Sequence, residues 1–222
     1  MGSFIELKAS DGHAFAAYEA KPAGRARGAI VIAPEIFGIN SHMRAVADRY
    51  AADGYHALAP ALFDRAQRGY DTGYSQPEIQ AGIAVMQKVD MADAVKDVAA
   101  CVDHLRGSGK VAIVGYCWGG TVAWVAAARV PGLSASIPYY GGGIPGFASE
   151  SPACPVMFQF GELDQSPKPE QARAVMAAHP ETTGHFYPAG HGFNCDQRPS
   201  YHAESSALAH TRSLDFLARH VG

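Results

Sequence analysis

From residue 28 onward, short apolar runs rich in β-branched residues alternate with segments whose apolar residues recur at helical spacing. A run such as Val111-Ala112-Ile113-Val114 has no polar side to turn to water, so a strand made from it must be covered on both faces. Crossover helices supply that cover when strand and helix alternate, and the strands they join lie parallel. The expected fold class is therefore α/β, a mostly parallel central sheet with helices on both faces.

The order of elements follows from the same reading. Phe4–Lys8 and Ala14–Glu19 are β-like runs joined by the turn signal Asp11-Gly12. GAIVIAPE at 28–35 is a buried strand. Ser41 can cap a helix that carries Met43, Val46 and Tyr50 on one face and stops near Gly54. YHALAPA at 55–61 is another strand. After Pro77 one apolar stripe (Ile79, Ile83, Met86) gives way to a second (Met91, Val95, Val98, Val102, Leu105), so the phase breaks near Asp90 and two helices or a bend are expected. VAIVGYC at 111–117 is the strongest strand and runs directly into the helix TVAWVAAARV. Strands at 133–140 and 155–162 flank a Gly/Pro-rich loop. A helix around 168–179, a short strand at 185–188 and a last helix at 200–220 follow, the last with Ala203, Ala207, Leu214, Leu217 and Val221 on one side.

No repeat, low-complexity tract or linker divides the 222 residues, so a single domain over 1–222 is expected. With 48% apolar and 18% charged residues the chain reads as globular. A net charge of −3 gives no electrostatic case for nucleic acid or an anionic membrane. The opening residues lack the apolar core of a secretory signal, and no run approaches a membrane span, so a cytoplasmic location is expected. Cys101, Cys117, Cys154 and Cys195 form no CxxC pair, which argues against zinc and against a disulfide framework. Cys195 stands four residues after His191, but with no second cluster the pair is not read as a metal site.

Gly115-Tyr116-Cys117-Trp118-Gly119-Gly120 lies where the strongest strand becomes a helix. A G-x-nucleophile-x-G turn there lifts the central side chain onto a strained, exposed elbow. A thiol at a helix N-terminus has its thiolate favoured by the dipole and by free backbone N–H groups. Those groups, Trp118 first, can also hold the oxyanion of a tetrahedral intermediate. The other reading of the hexapeptide is a plain tight turn with Cys117 as a small buried hydrophobe. In this architecture an acid and then a histidine follow the nucleophile along the chain. Asp164, just past the strand PVMFQFGE, and His191, in PAGHGFN, stand in that order. Alternatively Asp164 caps the next helix and His191 is one surface histidine among ten.

These residues resemble the dienelactone hydrolase family of α/β-hydrolases. The resemblance rests on PEIFGIN at 34–40, GYCWGG at 115–120, GELDQSP at 161–167 and HGFNCDQRPSY at 191–201, and runs from about residue 4 to Leu217. It implies an α/β-hydrolase fold and a Cys-His-Asp triad of Cys117, His191 and Asp164. Glu35 looks like the family's additional carboxylate, which contacts the resting thiol and helps form the thiolate. Ile36 would add a second oxyanion N–H beside Trp118. No metal or organic cofactor is implied; the partner is a small ester or lactone. The oligomeric state stays open, with a monomer slightly favoured.

The chain also departs from the family. Its carboxylate-binding arginines fall at Ile79 and Cys195 here, and a family tyrosine falls near Ile83. Arg198 is a candidate replacement, or else pairs structurally with an acid. Phe37 and Tyr139, with Trp118 and Tyr140, are candidate substrate walls and equally candidate core aromatics. Three functions stay open: opening of an enol-lactone of the dienelactone type, broad hydrolysis of small esters or phosphotriesters on the same triad, and ligand binding without chemistry.

Overall fold

The computed structural model describes residues 2–222. Its elements, in order, are β1 (Ser3–Lys8), β2 (Ala14–Ala20), β3 (Ala29–Ala33), α1 (Ser41–Ala52), β4 (His56–Pro60), α2 (Gln76–Met86) and α3 (Met91–Leu105). Then come β5 (Val111–Tyr116), α4 (Trp118–Arg129), β6 (Leu133–Tyr139), β7 (Met157–Gly161), α5 (Pro169–Ala178), β8 (Thr183–Tyr187) and α6 (Ala203–His220). One eight-stranded sheet has the order β1-β2-β4-β3-β5-β6-β7-β8. β1–β2 and β2–β4 pair antiparallel, and from β4 to β8 every pair is parallel.

The central strands are buried throughout, yet their side chains still alternate between two cores. Val111 and Ile113 of β5 face the layer of α3, α4 and α5, with Val98, Val102, Trp124 and Val175. Ala112, Val114 and Tyr116 face the layer of α1 and α6, with Met43, Tyr50, Phe216 and Leu217. Each fully buried aliphatic or aromatic side chain of this kind contributes about 1.5–3 kcal/mol. The break near Asp90 is a true helix boundary, because the Asp90 carboxylate caps α3 by accepting from the Ala92 N–H at 2.7 Å.

Two expectations are corrected. The cap of α1 is Asn40, whose Oδ1 accepts from the Met43 N–H at 3.1 Å, while Ser41 is the first helical residue and its hydroxyl donates to Gln197. Asn40 wins because its amide also donates to the Thr72 carbonyl and the Tyr74 hydroxyl. The inner face of α6 is only partly the expected stripe: Leu217 and Val221 are buried and Leu214 packs on the core, but Ala203 and Ala207 are exposed, and Ser205, Ser206, Ala209, Ser213 and Phe216 complete the buried face. The serines meet polar groups rising from below. Ser213 Oγ lies 2.7 Å from the Tyr139 hydroxyl, accepts from Gln159 Nε2 at 3.3 Å, and donates to the Ala209 carbonyl.

Candidate active site

The C-terminal ends of β3, β5 and β7 open on one side of the sheet, and the loops there carry the expected site residues. The turn from β5 into α4 is sharp enough to need three glycines. A Cβ on Gly115 would stand 1.9 Å from the Gly119 carbonyl oxygen. One on Gly119 would meet the Ala33 oxygen at 2.1 Å, and one on Gly120 the Tyr139 oxygen at 2.4 Å. Cys117, at the apex, has φ +55°, a left-handed conformation that costs a non-glycine residue about 1–3 kcal/mol. Its thiol is half-buried at the N-terminus of α4. Trp118 is the first helical residue, so its N–H has no intrahelical acceptor. Its indole stacks on Phe63 at 4.9 Å, which fixes one wall.

His191 and Asp164 are brought together. Asp164, only 1% exposed, accepts from His191 Nδ1 at 3.0 Å through Oδ2 and from the Ser166 N–H at 2.8 Å through Oδ1. Both carboxylate oxygens are thereby oriented, and Nε2 of the ring is left for the thiol. Burial opposes charge on His191, but the adjacent Cys117 sulfur and the Asp164 carboxylate outweigh it and raise the imidazole from 6.5 to about 10. Cys117 and His191 share a cleft of about 560 Å³ with Ile36 and Trp118. The chain beyond β3 is held close to α2, where a Cβ on Gly82 would approach the Ile36 carbonyl to 2.6 Å.

Glu35 is wholly buried beneath this cleft. Its Oε1 accepts from Arg198 Nη1 at 3.1 Å, and its Oε2 has no partner. Arg198 is tucked under the backbone after His191, where a Cβ on Gly192 would meet its Nη1 at 2.4 Å, and its guanidinium lies 5.5 Å from the Phe37 ring. Arg198 therefore takes the structural alternative, pairing with an acid rather than standing on the cleft wall. Phe37 and Tyr139 are core aromatics, 1% and 0% exposed, and do not line the cleft. The first is packed edge-on against Tyr74; the second lies among Tyr116, Tyr140 and Phe193.

Other neighbours complete the surroundings of the site, of which only Tyr140 was expected from sequence. Tyr140, at φ +36°, sets its ring 5.1 Å from that of His191. Thr121 Oγ1 accepts from the Gly143 N–H and ties the loop after β6 to α4. His42 donates or accepts at Nδ1 with Asp196 at 3.0 Å, and with Glu35 and Cys195 it forms a buried group whose donor atoms lie within 4.8 Å of one another. That group offers ligand types found around zinc, but Glu35 already carries the Arg198 guanidinium. Burial, with Glu35 nearby, also pushes the Cys195 thiol up to about 11. A second group, Glu19, His56 and His104, is closed on itself by hydrogen bonds of 3.0 and 2.8 Å to Glu19 Oε1. The signal for the first group was the Asn40-x-His42 step after the PEIFG segment, which helix periodicity alone does not single out.

A mostly parallel sheet with this strand order, a glycine-bound elbow after β5 and a His–Asp pair after later strands define an α/β-hydrolase. Within that class the chain belongs to the dienelactone hydrolase family, which it matches over residues 15–221, and it is a hydrolase. A carboxymethylenebutenolidase of Pseudomonas putida is 33% identical over 225 residues, covering 96% of this chain and 95% of that protein. A Klebsiella pneumoniae protein assigned to the dienelactone hydrolases superposes with a TM-score of 0.82 at 28% identity, covering 99% of each chain. The dienelactone hydrolase-like promiscuous phosphotriesterase P91, from metagenomic libraries, shares the fold with a TM-score of 0.81 at 22% identity, covering 100% of this chain and 99% of its own. Among the described residues no helix is long and apolar enough to cross a membrane.

Proposed function

We propose that this hydrolase opens small lactones or esters through a thioester on Cys117, the chemistry named for its carboxymethylenebutenolidase relatives. The observation that carries the reading is the half-buried Cys117 at a left-handed elbow, facing a His191 that Asp164 holds at 3.0 Å, both in one cleft.

The thiol proton passes to His191, whose imidazole the adjacent sulfur and carboxylate raise to about 10 against the effect of burial, and the thiolate so formed is the nucleophile. Glu35, whose Oε2 has no hydrogen-bond partner, is assigned by resemblance to assist in forming the thiolate as substrate binds. The thiolate attacks the acyl carbon, and the oxyanion is met by the Trp118 and Ile36 amides. On collapse the C–O bond breaks, the leaving alkoxide or enolate takes the proton from His191, and the acyl group stays on sulfur. Forming the thioester removes the negative charge on Cys117 that raised His191. The imidazole returns to neutrality as a base, takes a proton from water, and the hydroxide equivalent releases the acid and regenerates the thiolate. The chain acts as one domain in this cycle. Its unpaired thiols fit the expected cytoplasmic location.

The test is hydrolysis of cis- and trans-dienelactone and of a simple aryl ester by wild type and Cys117→Ala, with mass spectrometry of the acid-quenched enzyme. The expected result is turnover of at least one of these substrates that disappears with Cys117, and a mass increase of one acyl group confined to the Cys117 peptide. Turnover retained by Cys117→Ala sinks the reading. Ligand binding without turnover in wild type would transfer the chain to the binding alternative.

A further inference from the structure

We infer that the part of the substrate that does not react is uncharged and apolar, an alkyl or aryl arm laid against the junction of α2 and α3. The inference rests on the reading of Cys117 as nucleophile and names the substrate class for that same cleft.

The cleft wall away from Cys117 and His191 is built mainly by Ile36, Ile83, Met86, Val89, Trp118 and Phe147. No Lys, Arg, Asp or Glu lines it. Ile83 and Met86 are half-buried and turn apolar surface to the cleft, while the half-buried Val89 and Phe147 line it with one side and pack on the core with the other. The wall is contributed by five segments: the chain after β3, the last turns of α2, the α2–α3 link, the start of α4, and the loop after β6 that Thr121 holds. Trp118 is fixed by its stack on Phe63, while Met86 and Met91 supply flexible, polarisable surface that adapts to different chains. At about 560 Å³ the cleft is in the range of drug-sized ligand pockets and larger than a five-membered lactone requires.

A substrate carboxylate would find no partner here. Arg198, the cation nearest in sequence to His191, already holds the buried Glu35 at 3.1 Å and is roofed by the backbone at Gly192. Drawing it to a substrate would leave Glu35 charged, buried and without a bond at either oxygen. On α2 the residues that reach the cleft are Ile83 and Met86, with no cation among them. An unpaired carboxylate is strongly disfavoured against such a wall, whereas each methylene buried against it favours binding.

The experiment measures kcat/KM for p-nitrophenyl acetate, butyrate and hexanoate, for p-nitrophenyl hemisuccinate (butyrate-sized, with a terminal carboxylate), and for cis-dienelactone. Wild type, Ile83→Arg, Ile83→Ser and Cys117→Ala are compared. For wild type, kcat/KM is expected to rise about two- to fourfold per methylene along the neutral series. The hemisuccinate is expected at least about a hundredfold below butyrate. Ile83→Ser should flatten the chain-length slope and Ile83→Arg should narrow or reverse the charge preference; either variant suffices if the other fails to fold. Hemisuccinate or dienelactone turned over by wild type as well as butyrate, with Cys117 required, overturns this inference and leaves the thioester reading intact. No turnover of any ester, or turnover that survives Cys117→Ala, overturns both.

Discussion

Replacing Arg198 by Met isolates the most exposed weakness of the buried site. The Glu35 side chain is 1% exposed and Arg198 supplies its one hydrogen bond among the described residues, so Arg198→Met leaves an ionised carboxylate with no partner. Removing one member of a buried ion pair typically costs about 3–5 kcal/mol, because the charge left behind has lost water and gained nothing. Loss of the guanidinium from above Phe37 and Tyr74 adds roughly 0.5–2 kcal/mol. For a chain of this size 1 kcal/mol moves Tm by about 2–4 °C, so the ion-pair part alone predicts a fall of about 6–20 °C. The double variant Glu35→Gln/Arg198→Met carries no stranded charge and should regain about half or more of that loss, a coupling well beyond the ~0.5 kcal/mol within which independent sites add. Thermal and urea unfolding of wild type, both single variants and the double variant close the cycle. An Arg198→Met protein within about 1 kcal/mol of wild type would refute the argument. So would a double variant no more stable than Arg198→Met.

Other perturbations have equally definite outcomes. Asp164→Asn should leave a folded protein whose kcat falls by about 10³–10⁴, since the amide favours the wrong ring tautomer of His191; a loss under tenfold in steady-state assays would count against the pairing. His191 is raised from 6.5 to about 10 in the fold, so its contribution to stability is complete below pH 6.5 and is lost as pH rises through about 10. Tm measured from pH 6 to 10.5 should therefore decline, and the decline should flatten in His191→Gln. Ser213→Ala strips the partner from the fully buried Tyr139 hydroxyl and from Gln159 Nε2, and should cost about 1–3 kcal/mol in urea unfolding. Gly119→Ala places a methyl 2.1 Å from the Ala33 oxygen, backbone against backbone, and should abolish soluble expression while Gly107→Ala, which meets nothing within 4 Å, is tolerated.

The strands and the elbow could be read from sequence because their determinants are local. Val111–Cys117 is apolar throughout, and the glycines at 115, 119 and 120 are needed by contacts within a few residues or with the adjacent strand. The break before Met91 was legible for the same reason, a cap and a phase change side by side. Features that depend on distant partners were not. Asn40 and Ser41 are both good caps, and the choice between them is made by Thr72 and Tyr74, more than thirty residues away. The buried face of α6 is half legible: apolar spacing gives Leu217 and Val221, but Ser213 is buried because the sheet beneath presents the polar tips of Tyr139 and Gln159. Arg198 and Glu35 are 163 positions apart, and only the fold decides that the arginine spends its charge on that carboxylate and not on a ligand. Tyr139 sits one residue before the strand bends toward the cleft, close enough in sequence to suggest a wall, and the pleat turns it inward.

The four thiols differ in a way that gives the protein a single chemical handle. Burial holds Cys101 well above the ordinary thiol range and pushes Cys154 to about 11, and burial with Glu35 nearby does the same for Cys195. Cys117 and Cys154 are both half-buried, but of these two only Cys117 stands against an imidazole, that of His191. An electrophile such as iodoacetamide, added at neutral pH, would count working molecules one by one, as a burst titrant does. The same asymmetry means that peroxide stress would silence the enzyme at one atom long before it unfolded the rest.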